Sequence, residues 1–137
     1  MPQELTANIS LRKQEITTRY LEELDKHLAD MEAGLLETSL EINDFADLLF
    51  ITPTHLSDTI KDVLGKSPCS VYEEKLIKLS KELLLHTNKS ISEIAVTLTY
   101  DPSNFTKFFK RFEGITPKEF RNRHLVKLTQ ESQAVTI

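Results

Sequence analysis

The chain has 137 residues with 17 basic and 21 acidic side chains, a formal charge of -4, one cysteine, three glycines and no tryptophan. That length holds one domain or two very small ones and excludes a large enzyme; so few glycines leave little for phosphate-binding loops or barrel turns, and an all-α fold is expected. The single cysteine excludes a disulfide framework and a thiol-rich zinc site, while the lack of any apolar run near the ~18 residues of a membrane span, or of a basic-then-apolar leader, predicts a soluble cytoplasmic protein.

From Leu11 to Leu35 the residues Ile16, Tyr20, Leu24, Leu28, Met31 and Leu35 recur every three or four positions among charged ones, an amphipathic helix ending near Gly34. Its stripe either packs on the rest of the domain or forms a coiled coil or partner helix, which would make a homodimer. Beyond it the chain repeats itself. At an offset of 49, Asp44 to Pro68 lies over Glu93 to Pro117, pairing Ala46 with Ala95, Leu49 with Leu98, Pro53 with Pro102, Lys61 with Lys110, Gly65 with Gly114 and Pro68 with Pro117.

Each copy reads as a helix, a short turn and a helix. The first helices cover Asn43 to Phe50 and Ile91 to Thr99. Thr52-Pro53 and Asp101-Pro102 then supply an N-cap oxygen followed by Pro at the first helical position, where its missing N–H costs nothing. Gly65 and Gly114 end the second helices, and Ser67-Pro68 and Thr116-Pro117 start a third. Between the copies, Val71, Leu76, Leu79, Leu83 and Leu84 mark a linker helix of about 18 residues, about 27 Å long at 1.5 Å per residue. The predicted segments are an N-terminal helix (1–36), a first helix-turn-helix (37–68), the linker (69–88), a second helix-turn-helix with a closing helix (89–127) and a loose tail (128–137).

The second helix of such a unit is the one that enters a DNA major groove. In the second copy Phe105, Phe108, Phe109 and Phe112 make the core stripe, leaving Ser103, Asn104, Thr106, Lys107, Lys110 and Arg111 outward. The first four suit base edges and the last two suit phosphates, with Lys118, Arg121, Arg123, His124 and Lys127 extending the phosphate track. In the first copy Leu56, Ile60, Val63 and Leu64 face the core, and Thr54, His55, Ser57, Asp58, Lys61 and Asp62 face out, two aspartates opposing one phosphate-binding lysine. Charge follows the same gradient: about -5 over residues 1–43, -2 over 44–88 and +3 over 89–137, so the second unit should supply most of the affinity.

Ile94-Ala95, Tyr100, Ser103, Phe105, Phe109-Lys110, Gly114, Thr116-Pro117 and Phe120-Arg121 resemble the C-terminal signature of the AraC/XylS family of bacterial transcription regulators, and Leu40 to Pro68 resembles its first helix-turn-helix. The resemblance covers about residues 15 to 124. It implies about seven helices and two recognition helices in successive major grooves, with base reading by Thr54, Ser57 and Asp58 and by Ser103, Asn104 and Lys107. The sequence departs from the family pattern in Thr99 for a usual glycine, Leu76 for arginine, Ser80 for alanine and an acidic first recognition helix. With only about 40 residues ahead of the first unit, the resemblance implies no small-molecule effector pocket.

Other chemistry finds little footing. His27, His55, His86 and His124 have no helical pairing with each other or with Cys69, and neither HExxH nor CxxC occurs, so no metal or cofactor is expected. Asp44 with Asp47 and Glu22 with Glu23 lie in charged, solvated helices, and Cys69 reads as a small packed residue. The reading is a DNA-binding transcription regulator and not an enzyme; as an activator it would use the second unit for DNA and an exposed acidic surface for RNA polymerase. The alternative is a protein-interaction module using the acidic first unit or the stripe around Leu24, Leu28 and Met31.

Overall fold

The computed structural model describes residues 10–36 and 39–125. Within them run α1 (Leu11–Glu32), α2 (Ile42–Leu48), α3 (Pro53–Leu64), α4 (Pro68–His86), α5 (Ile91–Thr97), α6 (Pro102–Glu113) and α7 (117–125), with no strand among the described residues. The expected tail 128–137 and Lys127 lie outside them. The chain forms two compact units, Met1–Lys75 and Leu76–Ile137, whose boundary falls inside α4.

In the first unit Ser10 caps α1 by accepting the Lys13 N–H. Its stripe Ile16, Tyr20, Leu24, Leu28 and Met31 is buried, Leu24 and Met31 completely (0 % exposed). The apolar face is therefore spent inside the chain, which corrects the coiled-coil, homodimer and partner-helix readings of that stripe. The helix ends at the expected glycine: Gly34 takes φ 76° and the Leu35 N–H bonds back to the Asp30 carbonyl, so Leu35, expected in the stripe, falls past the helix and is exposed. Ion pairs of Lys13 with Asp62 (2.6 Å) and Lys75 with Asp25 (2.7 Å) tie α1 to α3 and to the start of α4.

Both copies of the repeat fold the same way. Thr52 and Asp101 cap α3 and α6 with Pro53 and Pro102 in the first turn, and Gly65 (φ 75°) and Gly114 (φ 81°) close them in the left-handed conformation. The short helices α2 and α5 stop two residues before their expected ends, because Phe50 (φ 58°) and Thr99 (φ 64°) are left-handed. Those two residues occupy one repeat position, and after each the chain bonds back identically, Ile51 N–H to Ala46 (3.1 Å) and Tyr100 N–H to Ala95 (2.8 Å). Neither is glycine, so both turns hold strain of about 1 kcal/mol or more.

The cores differ from the expected stripes at three places. In α3 Thr59 is buried beside Leu56 and Ile60, while Val63 and Leu64 are only half-buried. In α6 Phe105, Phe108 and Phe109 are buried but Phe112 remains 39 % exposed, its ring 5.1 Å from that of Phe108. Leu76, at the family's usual arginine, is fully buried, and the Ser80 hydroxyl donates to the Leu76 carbonyl (2.8 Å), so both departures from the family pattern serve packing.

Candidate nucleic-acid interface

The second unit builds its outward face on α6. Asp101 fixes the start of the helix, accepting the Ser103 N–H (3.3 Å) and the Ser103 hydroxyl (2.6 Å); these bonds, with the nearby Lys107 charge, hold its carboxyl below the usual range. Ser103 has thus given its proton to the cap, and Thr106 has given its own to the Pro102 carbonyl (3.1 Å). Both are left as acceptors only, which narrows their predicted base-reading role. Asn104 and Lys107 are exposed on the first two turns, where a recognition helix meets base edges.

Lys110 and Arg111 follow one turn on, both exposed. The Arg111 guanidinium lies 5.3 Å from the Phe112 ring and 5.9 Å from that of Phe108, so the exposed part of Phe112 carries the arginine instead of completing the core. Lys118 and Arg123 are exposed on α7.

Arg121 is a correction. Its guanidinium donates to the carbonyls of Leu84 (3.0 Å), Lys89 (2.6 Å) and Thr87 (3.3 Å). These close the C-terminal end of α4 and the connection that follows, where a helix leaves carbonyls unpaired. Arg121 therefore leaves the phosphate track and acts as a structural clasp. His124 is likewise turned inward, its Nδ1 2.9 Å from the Phe120 carbonyl and its ring 4.3 Å from that of Phe120.

The first unit presents a different face. Thr54, His55, Asp58 and Lys61 are exposed on α3, but Asp62 is held by Lys13, so the opposition of two aspartates to one lysine reduces to Asp58 against Lys61. Ser57 is half-buried and, with Lys61, lines a cavity of about 380 Å³ whose other walls include Tyr20, Phe45 and Tyr72. Cys69 lies on the same lining and is exposed, not packed. Burial pushes the Tyr20 hydroxyl up to about 12 and raises that of Tyr72. No periodicity signalled the cavity, because Tyr20 read as an ordinary core position and Tyr72 fell outside the apolar stripe of the linker helix.

A family model described as a helix-turn-helix domain matches residues 45–123. The arabinose operon regulatory protein of Escherichia coli (strain K12) is 29 % identical over 99 residues, 72 % of this chain and 32 % of that protein. An uncharacterised helix-turn-helix transcriptional regulator of Bacillus subtilis (strain 168) is 32 % identical over 88 residues, 64 % of this chain and 11 % of that one. Among solved structures, the C-terminal domain of AraT, a response regulator from Geobacillus stearothermophilus, matches with TM-score 0.70 at 28 % identity, covering 84 % of this chain and 87 % of that one. The DNA-binding domain of AdpA, solved with a target DNA, shares the fold (TM-score 0.63, 18 % identity, 76 % of this chain and 97 % of that one).

The arrangement is that of an all-α double helix-turn-helix domain, a class of transcription regulator. This chain belongs to the AraC/XylS family. It spans between 11 and 28 % of the length of the first curated relatives it matches.

Proposed function

We propose that the chain binds double-stranded DNA sequence-specifically as a cytoplasmic transcription regulator without enzymatic activity, the second unit supplying most of the affinity. The observation that carries this reading is the exposed face of α6: Asn104 and Lys107 near its N-terminal end read bases, and Lys110 and Arg111, with Lys118 and Arg123 on α7, neutralise phosphates. Ser103 and Thr106 accept from exocyclic amino groups. In the first unit Thr54 and Asp58 are the base-reading positions and Lys61 the phosphate contact, with Ser57 reaching the groove only from the cavity rim. Selection of bound duplexes from a random library at low and moderate salt tests this. A motif of two parts about one helical turn apart supports reading by both units, and a single half-motif assigns it to the second alone. The absence of enrichment at either salt would overturn the reading.

One observation favours a protein contact as well. Phe50 is 88 % exposed in a strained turn, beside exposed Leu48, Asp44 and Asp47. An apolar, acidic patch of this kind repels DNA and suits a cationic protein surface such as one on RNA polymerase. Phe50→Asn, which keeps the left-handed turn, is expected to lower transcriptional activation and leave duplex affinity unchanged.

A further inference from the structure

The two copies differ in what caps their recognition helices. Thr52 caps α3 with a hydroxyl, and its counterpart in the repeat, Asp101, caps α6 with a carboxylate. The Thr52 hydroxyl oxygen accepts the His55 N–H (3.1 Å), and the Thr54 hydroxyl makes no hydrogen bond among the described residues. In the second copy one oxygen of Asp101 accepts both the Ser103 N–H (3.3 Å) and the Ser103 hydroxyl (2.6 Å). Thr54 and Ser103 hold the same repeat position, and both are exposed. One hydroxyl therefore keeps its proton for an outside partner, and the other gives it to the cap.

A hydroxyl with a free proton turns to donate or to accept, whereas one already donating to a carboxylate offers lone pairs alone. The bond to Asp101 is short and charge-assisted, so taking that proton back costs more than a neutral bond to a base returns. In the major groove adenine N6 and cytosine N4 present amino donors, while guanine O6 and thymine O4 present acceptors. Against an oxygen that only accepts, a keto group sets lone pair against lone pair after both have lost water. Ser103 lies in the first turn of α6, where a recognition helix meets base edges.

We propose that Asp101 is a specificity-determining residue of the second unit: by holding the Ser103 proton it makes that unit select adenine or cytosine over guanine or thymine at the base Ser103 faces. Asp101 acts through Ser103 and is a positioning residue. The inference rests on the DNA-binding reading and deepens it.

Selections from a random duplex library with the full chain, Ser103→Ala and Asp101→Thr test it. The position whose preference Ser103→Ala relaxes is the one Ser103 reads. There the parent should favour an amino-bearing base by about tenfold over a keto base. Asp101→Thr copies the cap that α3 already uses, so the helix keeps its start, and the released proton should reduce the preference to about twofold or less. Loss of a negative charge raises affinity for every duplex alike, so the ratio between bases is the readout. Replacing that adenine by unsubstituted purine, or that cytosine by pyrimidin-2-one, removes the amino group and should cost the parent about tenfold more than it costs Ser103→Ala. A keto base preferred at that position, a preference unaltered in Asp101→Thr, an equal loss from the analogue in parent and Ser103→Ala, or no position relaxed by Ser103→Ala would overturn the proposal. Any of these with a defined parent motif removes only the role of Asp101, whereas a parent that enriches no duplex removes the DNA-binding reading and this inference with it.

Discussion

At an offset of 49 the two copies share their backbone devices, Phe50 with Thr99 in the left-handed turn and Gly65 with Gly114 at the helix end, yet Asp58 stands where the second copy has Lys107 and Asp62 where it has Arg111. Asp62 pairs with Lys13 on α1, whereas Arg111 lies over the rings of Phe108 and Phe112 at the surface. The correspondence continues into the third helix. Tyr72 and Arg121 are counterparts, and each reaches back to the segment before its own short helix: Tyr72 to the Ser39 hydroxyl, Arg121 to the carbonyls of Thr87 and Lys89. One scaffold thus carries an exposed recognition face of mixed charge, with Ser57 and Lys61 bordering a cavity, and another exposed face with positive charge. Backbone signals were duplicated while side-chain chemistry diverged.

The largest effect that would break this correspondence is at the clasp. Arg121→Ala leaves three carbonyls without their charged donor and should destabilise the chain by about 2–3 kcal/mol in urea denaturation. Lys118→Ala, exposed on the same helix, should leave stability within about 0.5 kcal/mol. An Arg121→Ala protein of normal stability with weakened duplex binding would restore Arg121 to the phosphate track.

The charge difference is tested next. Lys107→Ala should weaken duplex binding by about 1–2 kcal/mol, and Arg111→Ala should lower the slope of log K against log salt by about 0.9. The reciprocal change, Asp58→Lys, copies the second unit's charge into the first and should strengthen binding and steepen that slope by a similar amount. Unchanged affinity in all three would mean that neither α3 nor α6 meets the duplex with the faces assigned to them.

How far the sequence was readable follows from the range of each signal. Pro53, Pro102, Gly65, Gly114 and the capping residues act within a few positions, so the repeat and nearly every helix end could be located from them. The burial of Ile16, Tyr20, Leu24, Leu28 and Met31 followed from spacing alone, although what they pack against did not. Arg121 was misread because its partners lie 32 to 37 positions away, and a cation on a helix gives no local sign of a buried task. The Lys13 to Asp62 pair, 49 residues apart, hid half the acidity of α3 for the same reason. Ser103 and Thr106 show the opposite error: their side chains face out as expected, but short-range bonds to Asp101 and Pro102 had already used their protons.

The shared turn offers a smaller test. Thr99 is β-branched and left-handed, so Thr99→Gly should stabilise the second unit by about 0.5–1 kcal/mol, the relief of strain exceeding the entropy lost by glycine. Phe50→Gly should stabilise the first by a similar amount, since an exposed ring gives up no packing. A loss of stability at Thr99 together with a gain at Phe50 would show that the second turn has side-chain support which the first lacks.

The smallest effect is a slope against pH, and it belongs to the first unit. His27 is buried, its Nε2 accepts the Leu40 N–H (3.4 Å), and its ring lies edge-on to Phe45. Burial lowers its pKa below the ordinary 6.5, with Asp30 opposing the shift. Above about pH 6.5 the imidazole is neutral folded or unfolded and costs nothing. As pH falls through that value the unfolded chain takes up a proton that the fold refuses, so stability declines until the lower folded pKa is passed. Urea midpoints at about pH 7 and pH 5 should therefore diverge in the parent and converge in His27→Gln, whose carbonyl can still accept the Leu40 N–H. Equal slopes in the two proteins would place the acid sensitivity on groups other than His27 and remove this difference between the units.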